Sequence, residues 1–298
     1  MRSSSSEQRS NVAVFVAIAL IGGGNAVGVA IAVHELDPLW AAAVRFLAAG
    51  LLFAAFMAAC RVPIPSGGAL IGALIYGVFA FAGAYALLFW GLRETPPGTA
   101  QIIIAVIPLL TLVFAVAHGL ERLSLRAVGG SLTALSGLAL LVSDRVSADV
   151  PLLSLLAVIG GAAFLAESGV VVKLTPRAHP LASNAVGMLG GGLILLAISA
   201  VVGDAWLLPT RSDTWTAMVF LVLGGSVAVF GLYIFLLGRW SASSTSYTLL
   251  LMPIATVVYS ALLTGEPMTP ALLVGGAVII GGVWIGAFAK TSRATSSE

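Results

Sequence analysis

The amino-acid sequence predicts an all-α membrane protein with ten transmembrane helices, arranged as two inverted five-helix repeats with both termini in the cytoplasm. Three observations predict this class. Of the 298 residues, 59% are hydrophobic and only 9% are charged, whereas a soluble domain carries about 25% charged residues. The chain divides into ten apolar segments of about 20 residues, the length that crosses a bilayer. Matched residues also recur between the two halves at a nearly constant separation.

The ten apolar segments are joined by short loops that leave no room for a soluble domain. Serine-rich segments at 1–10 and 290–298 are typical of disordered tails. The predicted spans are 11–33, 38–60, 67–92, 97–118, 125–143, 150–172, 180–203, 214–237, 242–263 and 269–289. Cys60 is the only cysteine, which excludes an intrachain disulfide.

The distribution of basic residues predicts the orientation, because cytoplasmic loops of membrane proteins carry an excess of Lys and Arg. With the N-terminus inside, the outer loops carry only Arg93, Arg145 and Arg211. The inner segments carry Arg2, Arg9, Arg61, Arg122, Arg126, Lys173, Arg177, Arg239, Lys290 and Arg293. The sequence therefore favours cytoplasmic N- and C-termini.

Two series of matched residues indicate an internal repeat. The members of one series share a single separation along the chain, and they pair Pro108 with Pro253, Glu121 with Glu266, Gly130 with Gly275 and Gly137 with Gly282. The other series has a slightly shorter separation and pairs Pro38 with Pro180 and Gly50 with Gly192. The predicted repeats are 11–145 and 146–289. Five spans in each half require the second half to insert upside down, which is typical of transporters.

The sequence resembles the drug/metabolite transporter superfamily, in its EamA-type branch of two five-helix domains. The resemblance is carried by Asn25 in GGGNAVG, Arg45 in AAAVRFLAAG, and the matched segments that begin at Pro108 and Pro253. In the family a Trp-Gly pair usually precedes the asparagine, where this chain has glycines at 22–24. The resemblance implies export of a small metabolite across the bacterial inner (plasma) membrane.

Arg45 and Asn25 are the first candidates for a substrate site, because charged and polar groups inside a span are costly. Arg45 lies about seven residues into the second span, roughly 10 Å deep at about 1.5 Å per residue. It is a cation suited to a substrate carboxylate, or alternatively a packing residue bonded to helix carbonyls. Asn25 lies at a similar depth, so we expect one polar cluster, with a glycine packing seam as the alternative.

Glu167 is the second ionisable group inside a span. It would bind a substrate amine or carry a coupling proton, or alternatively lie in a wet inner vestibule or pair with Lys173. Because Arg45 lies in the outer third of the bilayer and Glu167 in the inner third, we expect no direct contact between them.

Further candidates lie on other spans. Tyr85, Gln101 and Tyr247 are predicted to line the substrate pocket, although aromatic side chains near span ends also form interfacial belts. Proline inside a helix removes a backbone hydrogen bond, so Pro108 and Pro253 predict kinks in two gating helices.

These features favour a secondary carrier of an amino acid, a derivative or an amphipathic drug-like compound, with proton coupling as one source of energy. A channel, a structural membrane subunit, or an importer or exchanger of the same fold are the alternatives. No Walker loop, metal-ligand set, cofactor motif or catalytic triad is evident, so we predict no enzyme activity and no cofactor. The expected partners are the substrate and membrane lipid, without nucleic acid, and the protein is expected to be a monomer.

Overall fold

The computed structural model describes residues 5–92, 94, 103–141, 151–264 and 270–288, and all regular elements within these ranges are helices. In the first half, α1 is Ser5–Val33 and α2 is Pro38–Ala59. Helix α3 (67–92) joins Gly67–Gly77 to Ala84–Leu92 through a π-helical stretch at Val78–Gly83. Helix α4 is Ile107–Ala117 and α5 is Leu125–Leu141.

The second half repeats this order of helices. Helix α6 is Leu152–Leu174 and α7 is Pro180–Val202. Helix α8 (212–237) joins Ser212–Val222 to Val229–Leu237 through a π-helical stretch at Leu223–Ala228. Helix α9 (242–264) comprises a short stretch at Ala242–Ser246 and a longer one at Thr248–Thr264. Helix α10 (270–288) comprises Pro270–Val283 and a π-helical stretch at Trp284–Phe288.

Six of these helices are long and apolar enough to cross a membrane, namely Glu7–Val33, Pro38–Ala59, Gly67–Leu88, Leu152–Leu174, Pro180–Val202 and Ser212–Leu237. Shorter apolar helices occupy Ile107–Ala117, Leu125–Leu140 and Leu273–Ala287. Large apolar side chains are exposed on the helix surfaces, such as Leu51 at 62% and Leu193 at 57%. Such surfaces need a hydrocarbon solvent, so the chain is a multi-pass membrane protein.

Antiparallel helices pack closely at two contacts between the halves. On the α5–α10 contact, a Cβ placed on Gly130 would lie 2.7 Å from the Gly282 carbonyl oxygen, and one on Gly137 would lie 2.8 Å from the Gly275 oxygen. Gly130 of α5 therefore faces Gly282 of α10, and Gly137 of α5 faces Gly275 of α10. The sequence shift that relates Pro108 to Pro253 converts one contact into the other.

The contact between α2 and α7 has the same property. A Cβ on Gly50 would lie 2.9 Å from Cγ of Leu189, and a Cβ on Gly192 would lie 2.9 Å from Cγ of Leu47. The sequence shift that relates Pro38 to Pro180 exchanges these two contacts. Both antiparallel pairs thus have the local two-fold relation expected between inverted halves.

The helices depart from regular α geometry at matched places. The π-helical stretches of α3 and α8 begin at Val78 and Leu223, which have the same separation along the chain as Pro108 and Pro253. Pro253 lies inside α9 as predicted. Pro108 instead lies in the first turn of α4, after a turn at Ala105 and Val106. Pro108 thus lies at the start of a helix, where a proline has no intrahelical hydrogen bond to lose, and the gating role of this segment stays a prediction.

Candidate functional site

Arg45 is the central charged group of the candidate site. Its side chain is 3% exposed. Nε donates to the Ser226 hydroxyl at 2.7 Å, and Nη2 donates to the Gly225 carbonyl at 3.0 Å and to Oδ1 of Asn25 at 3.3 Å. The structure records no ion pair for Arg45 among the residues it describes. A buried cation without a carboxylate is costly in a membrane, which marks it as a functional candidate.

Arg45 and Asn25 form the polar cluster that the sequence predicts, and α8 completes it. Asn25 Nδ2 donates to the Gly225 carbonyl at 3.4 Å. Both partners on α8, Gly225 and Ser226, lie in its π-helical stretch. Such stretches shift the backbone hydrogen bonds and are frequent at functional sites. The guanidinium has five donors, and no protein acceptor is recorded for those of Nη1 among the described residues.

The glycine at position 225 lets the backbone of α8 lie close to Asn25 and Arg45. A Cβ on Gly225 would overlap the side-chain oxygen of Asn25 and lie 3.1 Å from Nη2 of Arg45. Only a residue without a side chain lets α8 come this near to α1 and α2. Sequence reasoning missed Gly225 and Ser226, because a small GGS string inside an apolar span is a weak signal.

A cluster of aromatic rings lies near the guanidinium group of Arg45. The guanidinium carbon lies 5.1 Å from the ring centre of Phe46 and 5.9 Å from that of Tyr85. The ring centres of Phe46 and Phe81 are 4.9 Å apart, and those of Phe81 and Tyr76 are 5.2 Å apart. Tyr85 therefore joins the predicted cluster, while Phe46, Phe81 and Tyr76 were missed because apolar spans hold many aromatics.

Glu167 lies in a different place, as expected. Its Oε1 is 3.5 Å from Nε2 of His118, just after α4. His118 Nδ1 lies 2.9 Å from the Phe114 carbonyl, which can only accept, so Nδ1 carries a hydrogen. Nε2 then faces the carboxylate, close enough for an ion pair when the imidazole is protonated. The expected alternative, pairing with Lys173, is not recorded among the described residues.

Tyr247, another predicted pocket residue, packs against α5. Tyr247 is 1% exposed, and its hydroxyl donates to the Ala127 carbonyl at 2.7 Å and bonds Ser131 at 2.8 Å. This geometry packs α9 against α5 and gives no support to a role in substrate binding. Gln101 lies outside the described residues. No group of three or more His, Cys, Asp or Glu in the described part of the chain is placed to hold a metal ion.

Two loops join the halves at one end of the bundle, in a contact we call the latch (34–40 with 203–211). Asp37 accepts from the Ala205 amide at 2.7 Å, and Asp204 accepts from the Trp40 amide at 3.2 Å. The rings of Trp40 and Trp206 stack with centres 5.3 Å apart. The latch fastens the α1–α2 loop to the α7–α8 loop.

Glu35 adds a further contact across the latch. Its carboxylate accepts from the hydroxyl and the amide of Thr210, at 2.5 and 2.6 Å. These hydrogen bonds lower the pKa of Glu35 from 4.5 to about 2. Because the pKa is lowered in the folded state, the contribution of the ionised Glu35 to folding stability is complete above about pH 4.5. It is lost as the pH falls towards 2. The contact therefore persists throughout the physiological pH range.

The opposite end of the bundle is open. A cavity of about 480 Å³, which we call the vestibule, lies between α3, α6, α7 and α8 and extends to the 175–178 loop. In the repeat, the α1–α2 loop corresponds to the α6–α7 loop at 174–179, and the α7–α8 loop corresponds to the α2–α3 loop at 60–66. These two loops are therefore the counterparts of the latch. The structure describes both of these loops fully and records no hydrogen bond between them. The vestibule end therefore lacks a counterpart of the latch, and the halves are joined near it through Ser243, which donates to Glu121.

Comparisons with known proteins agree with this architecture. The sequence model of the EamA-like transporter family matches residues 9–143 and 152–287. A relative from Escherichia coli strain K12, the uncharacterized inner membrane transporter YedA, is 28% identical over 255 residues, which is 85% of this chain and 82% of the relative. A probable amino-acid metabolite efflux pump of Salmonella typhimurium is 24% identical over 290 residues, 94% of this chain and 95% of the relative.

A solved crystal structure is similar to most of the chain. Its TM-score is 0.80 at 19% identity, covering 93% of this chain and 97% of that chain. At this identity the similarity establishes the fold alone.

Proposed function

Because the chain belongs to the EamA-like transporter family and is a multi-pass transport protein of the inner membrane, we propose that it is a secondary carrier that exports a small metabolite by alternating access. The observation that carries the proposal is Arg45, a cation buried among helices of both halves without a recorded carboxylate partner. The preferred substrate class is an amino acid, a derivative of one, or an amphipathic compound that presents a carboxylate to this cation.

The proposed topology has ten membrane-spanning helices, in repeats 11–145 and 146–289, with tails 1–10 and 290–298 in the cytoplasm. The exchangeable glycine contacts of α5 with α10 and the matched π-helical stretches support two inverted halves. With this orientation the latch faces outwards and the vestibule faces the cytoplasm. The structure then corresponds to a carrier that is closed outside and open inside, and the vestibule is where an exported compound enters.

The route from the vestibule to Arg45 passes through the aromatic cluster. Tyr76 lines the vestibule, and its ring contacts Phe81, which contacts Phe46 beside Arg45. These rings separate the cation from the vestibule, so access would require them to move. Alternating access would loosen the latch while the vestibule closes.

A screen of metabolites tests the proposal. Proteoliposomes would be offered a pooled metabolite extract, and their contents would be read by mass spectrometry with and without a pH gradient. We expect enrichment of at least one carboxylate-bearing compound over protein-free liposomes. An unchanged profile under every gradient would contradict the carrier function.

Glu167 is the candidate for proton coupling, with His118 as its partner. We expect Glu167→Gln to abolish the increase in uptake caused by a pH gradient, because an amide cannot take up and release a proton as the carboxylate beside His118 can. Exchange of labelled for unlabelled substrate across the membrane should persist, since exchange needs no net proton movement. Gradient-driven uptake that survives this change would assign coupling to another group.

The latch provides a test of alternating access. We expect Asp37→Ala/Asp204→Ala to favour the outward-open state, because the two hydrogen bonds across the latch, of about 1 kcal/mol each, are lost. The reporter is Ser183→Cys in the vestibule, in a Cys60→Ser background, labelled by a membrane-impermeant maleimide in inside-out vesicles.

The ratio of inward-open to outward-open protein should fall about fivefold or more, as expected for a shift of about 1 kcal/mol or more, and the labelling rate should fall with the inward-open fraction. The matched control is Asp213→Ala, since Asp213 pairs locally with Arg211 rather than across the latch. Equal labelling in the double variant and the control would argue against a gating role of the latch.

A further inference from the structure

The vestibule has an unusual distribution of charge. Lys173, Arg177 and Arg239 are among its lining residues, and no carboxylate side chain is. A cavity lined by one sign of charge, with low-dielectric walls, concentrates the field and attracts ions of the opposite sign. Its volume of about 480 Å³ suits a small molecule.

The three cations come from separate parts of the fold, and each has a defined position. Lys173 lies in the last turn of α6, Arg177 lies in the following loop, and Arg239 lies just after α8. The guanidinium carbon of Arg239 is 3.6 Å from the ring centre of Phe235, which also lines the vestibule. This stacking holds the guanidinium against the cavity wall and leaves its edge open to hydrogen bonds.

The surroundings of the vestibule add polar groups that suit an anion. Helix α7 begins at Pro180, which lines the vestibule, so the positive end of a 23-residue helix lies at the cavity. Ser183, in the first turn of the same helix, also lines it. The nearest described acid with a recorded influence on Lys173 is Glu121, whose two oxygens already accept from the amide and hydroxyl of Ser243.

We propose that the vestibule is an anion-binding site, separate from Arg45, which takes a carboxylate or phosphate group through Lys173, Arg177 and Arg239. The inference rests on the proposed function only in treating the vestibule as the cytoplasmic entrance of the carrier. An anionic substrate would bind here first and then exchange these cations for Arg45. The same chemistry would also accept an anionic lipid headgroup.

Binding can be measured without transport. The full-length protein in phosphatidylcholine nanodiscs would be titrated calorimetrically with succinate and, separately, with inorganic pyrophosphate. We expect at least one of them to bind saturably and more weakly at high salt, because exposed charges are screened. Arg177→Gln/Arg239→Gln should weaken binding about tenfold or more, since charge-assisted hydrogen bonds are lost.

The matched control is Arg61→Gln/Arg122→Gln. It removes the same charge from the proposed cytoplasmic face, but neither residue lines the vestibule. We expect this control to bind within about twofold of the unmodified protein. Arg177→Lys/Arg239→Lys keeps both charges but not the stacked guanidinium, so it should bind more tightly than Arg177→Gln/Arg239→Gln. Failure of both probes to bind, or equal weakening in the control, would overturn the proposal.

A second arm distinguishes the two sources of the anionic group. Nanodiscs containing phosphatidylglycerol would be compared with phosphatidylcholine alone, and retained lipid would be measured by native mass spectrometry. A lipid headgroup is identified as the occupant if phosphatidylglycerol weakens binding of the soluble probe and if Arg177→Gln/Arg239→Gln no longer retains the lipid. Unchanged binding of the soluble probe identifies a free metabolite. Transport without anion binding would refute this site alone, and binding without transport would refute the carrier function alone.

Discussion

Replacement of Arg45 by glutamine should lower the transport efficiency of a carboxylate-bearing substrate about 100-fold or more. Charge-assisted hydrogen bonds contribute about 1.5–3 kcal/mol each, and about 2.7 kcal/mol corresponds to this factor. The initial rate of uptake into proteoliposomes, measured over a range of substrate concentrations, gives the efficiency. The glutamine variant should fold, because it removes a buried charge for which no described carboxylate compensates.

The alternative role of Arg45 is to tie α2 to α8, and a matched variant separates the two roles. Ser226→Ala deletes the acceptor of Nε but leaves the cation in place. We expect a much smaller loss of efficiency than in Arg45→Gln, because the cation that would bind the substrate carboxylate remains. The amide analogue of the substrate should be transported equally by the unmodified protein and Arg45→Gln. Equal defects in Arg45→Gln and Ser226→Ala would favour the purely structural role.

Gly282→Leu should destabilise the protein by about 3 kcal/mol or more, because overpacking against rigid neighbours forces the backbone apart. A Cβ at this position would lie 2.6 Å from the Gly130 carbonyl oxygen and closer still to the backbone of Ala134. Backbone atoms cannot rotate away as a side chain can. We expect the midpoint of thermal unfolding in detergent to fall by about 10 °C.

The adjacent residue supplies the control. A Cβ on Gly281 would meet no atom within 4 Å, so Gly281→Leu places the same side chain on the same helix in open space. It should melt within about 2 °C of the unmodified protein, since surface substitutions have small effects on stability. Similar melting of both leucine variants would show that the α5–α10 contact contributes little to stability.

The pattern of helices was largely predictable from the sequence, because hydrophobicity alone determines which segments enter a bilayer. The predicted spans at 38–60 and 180–203 agree closely with Pro38–Ala59 and Pro180–Val202. The start of α4 was not predictable. The preceding residues are as apolar as the helix itself, so hydropathy gives no sign of the turn at Ala105 and Val106.

The candidate site was predictable only where a residue is exceptional for its environment. Arg45 and Asn25 stand out in apolar spans, and their similar depths predicted the contact that the structure shows. Ser226 did not stand out, because a serine is common in membrane helices. Its proximity to Arg45 depends on the π-helical stretch of α8, which changes the helix register in a way that residue spacing does not reveal.

Aromatic residues posed the opposite difficulty, because several were plausible and few were distinguishable. Tyr85 lies near Arg45, whereas Tyr247 is buried against α5 and bonds Ala127 and Ser131. Both are tyrosines within predicted spans, although Tyr85 follows the apolar string FAGA and Tyr247 follows the polar string SASSTS. Only the packing of the helices decides which ring faces the centre of the bundle.

Counterflow in proteoliposomes is the most direct test of the central claim that the protein is a secondary carrier. Vesicles would be loaded with an unlabelled amino-acid mixture at high concentration and diluted into a trace of the isotopically labelled mixture. A carrier predicts transient accumulation of at least one labelled compound above its external concentration, and loss of this overshoot in Arg45→Gln. Entry that only rises to equal concentrations, with no overshoot and no dependence on Arg45, would contradict the account and indicate a channel.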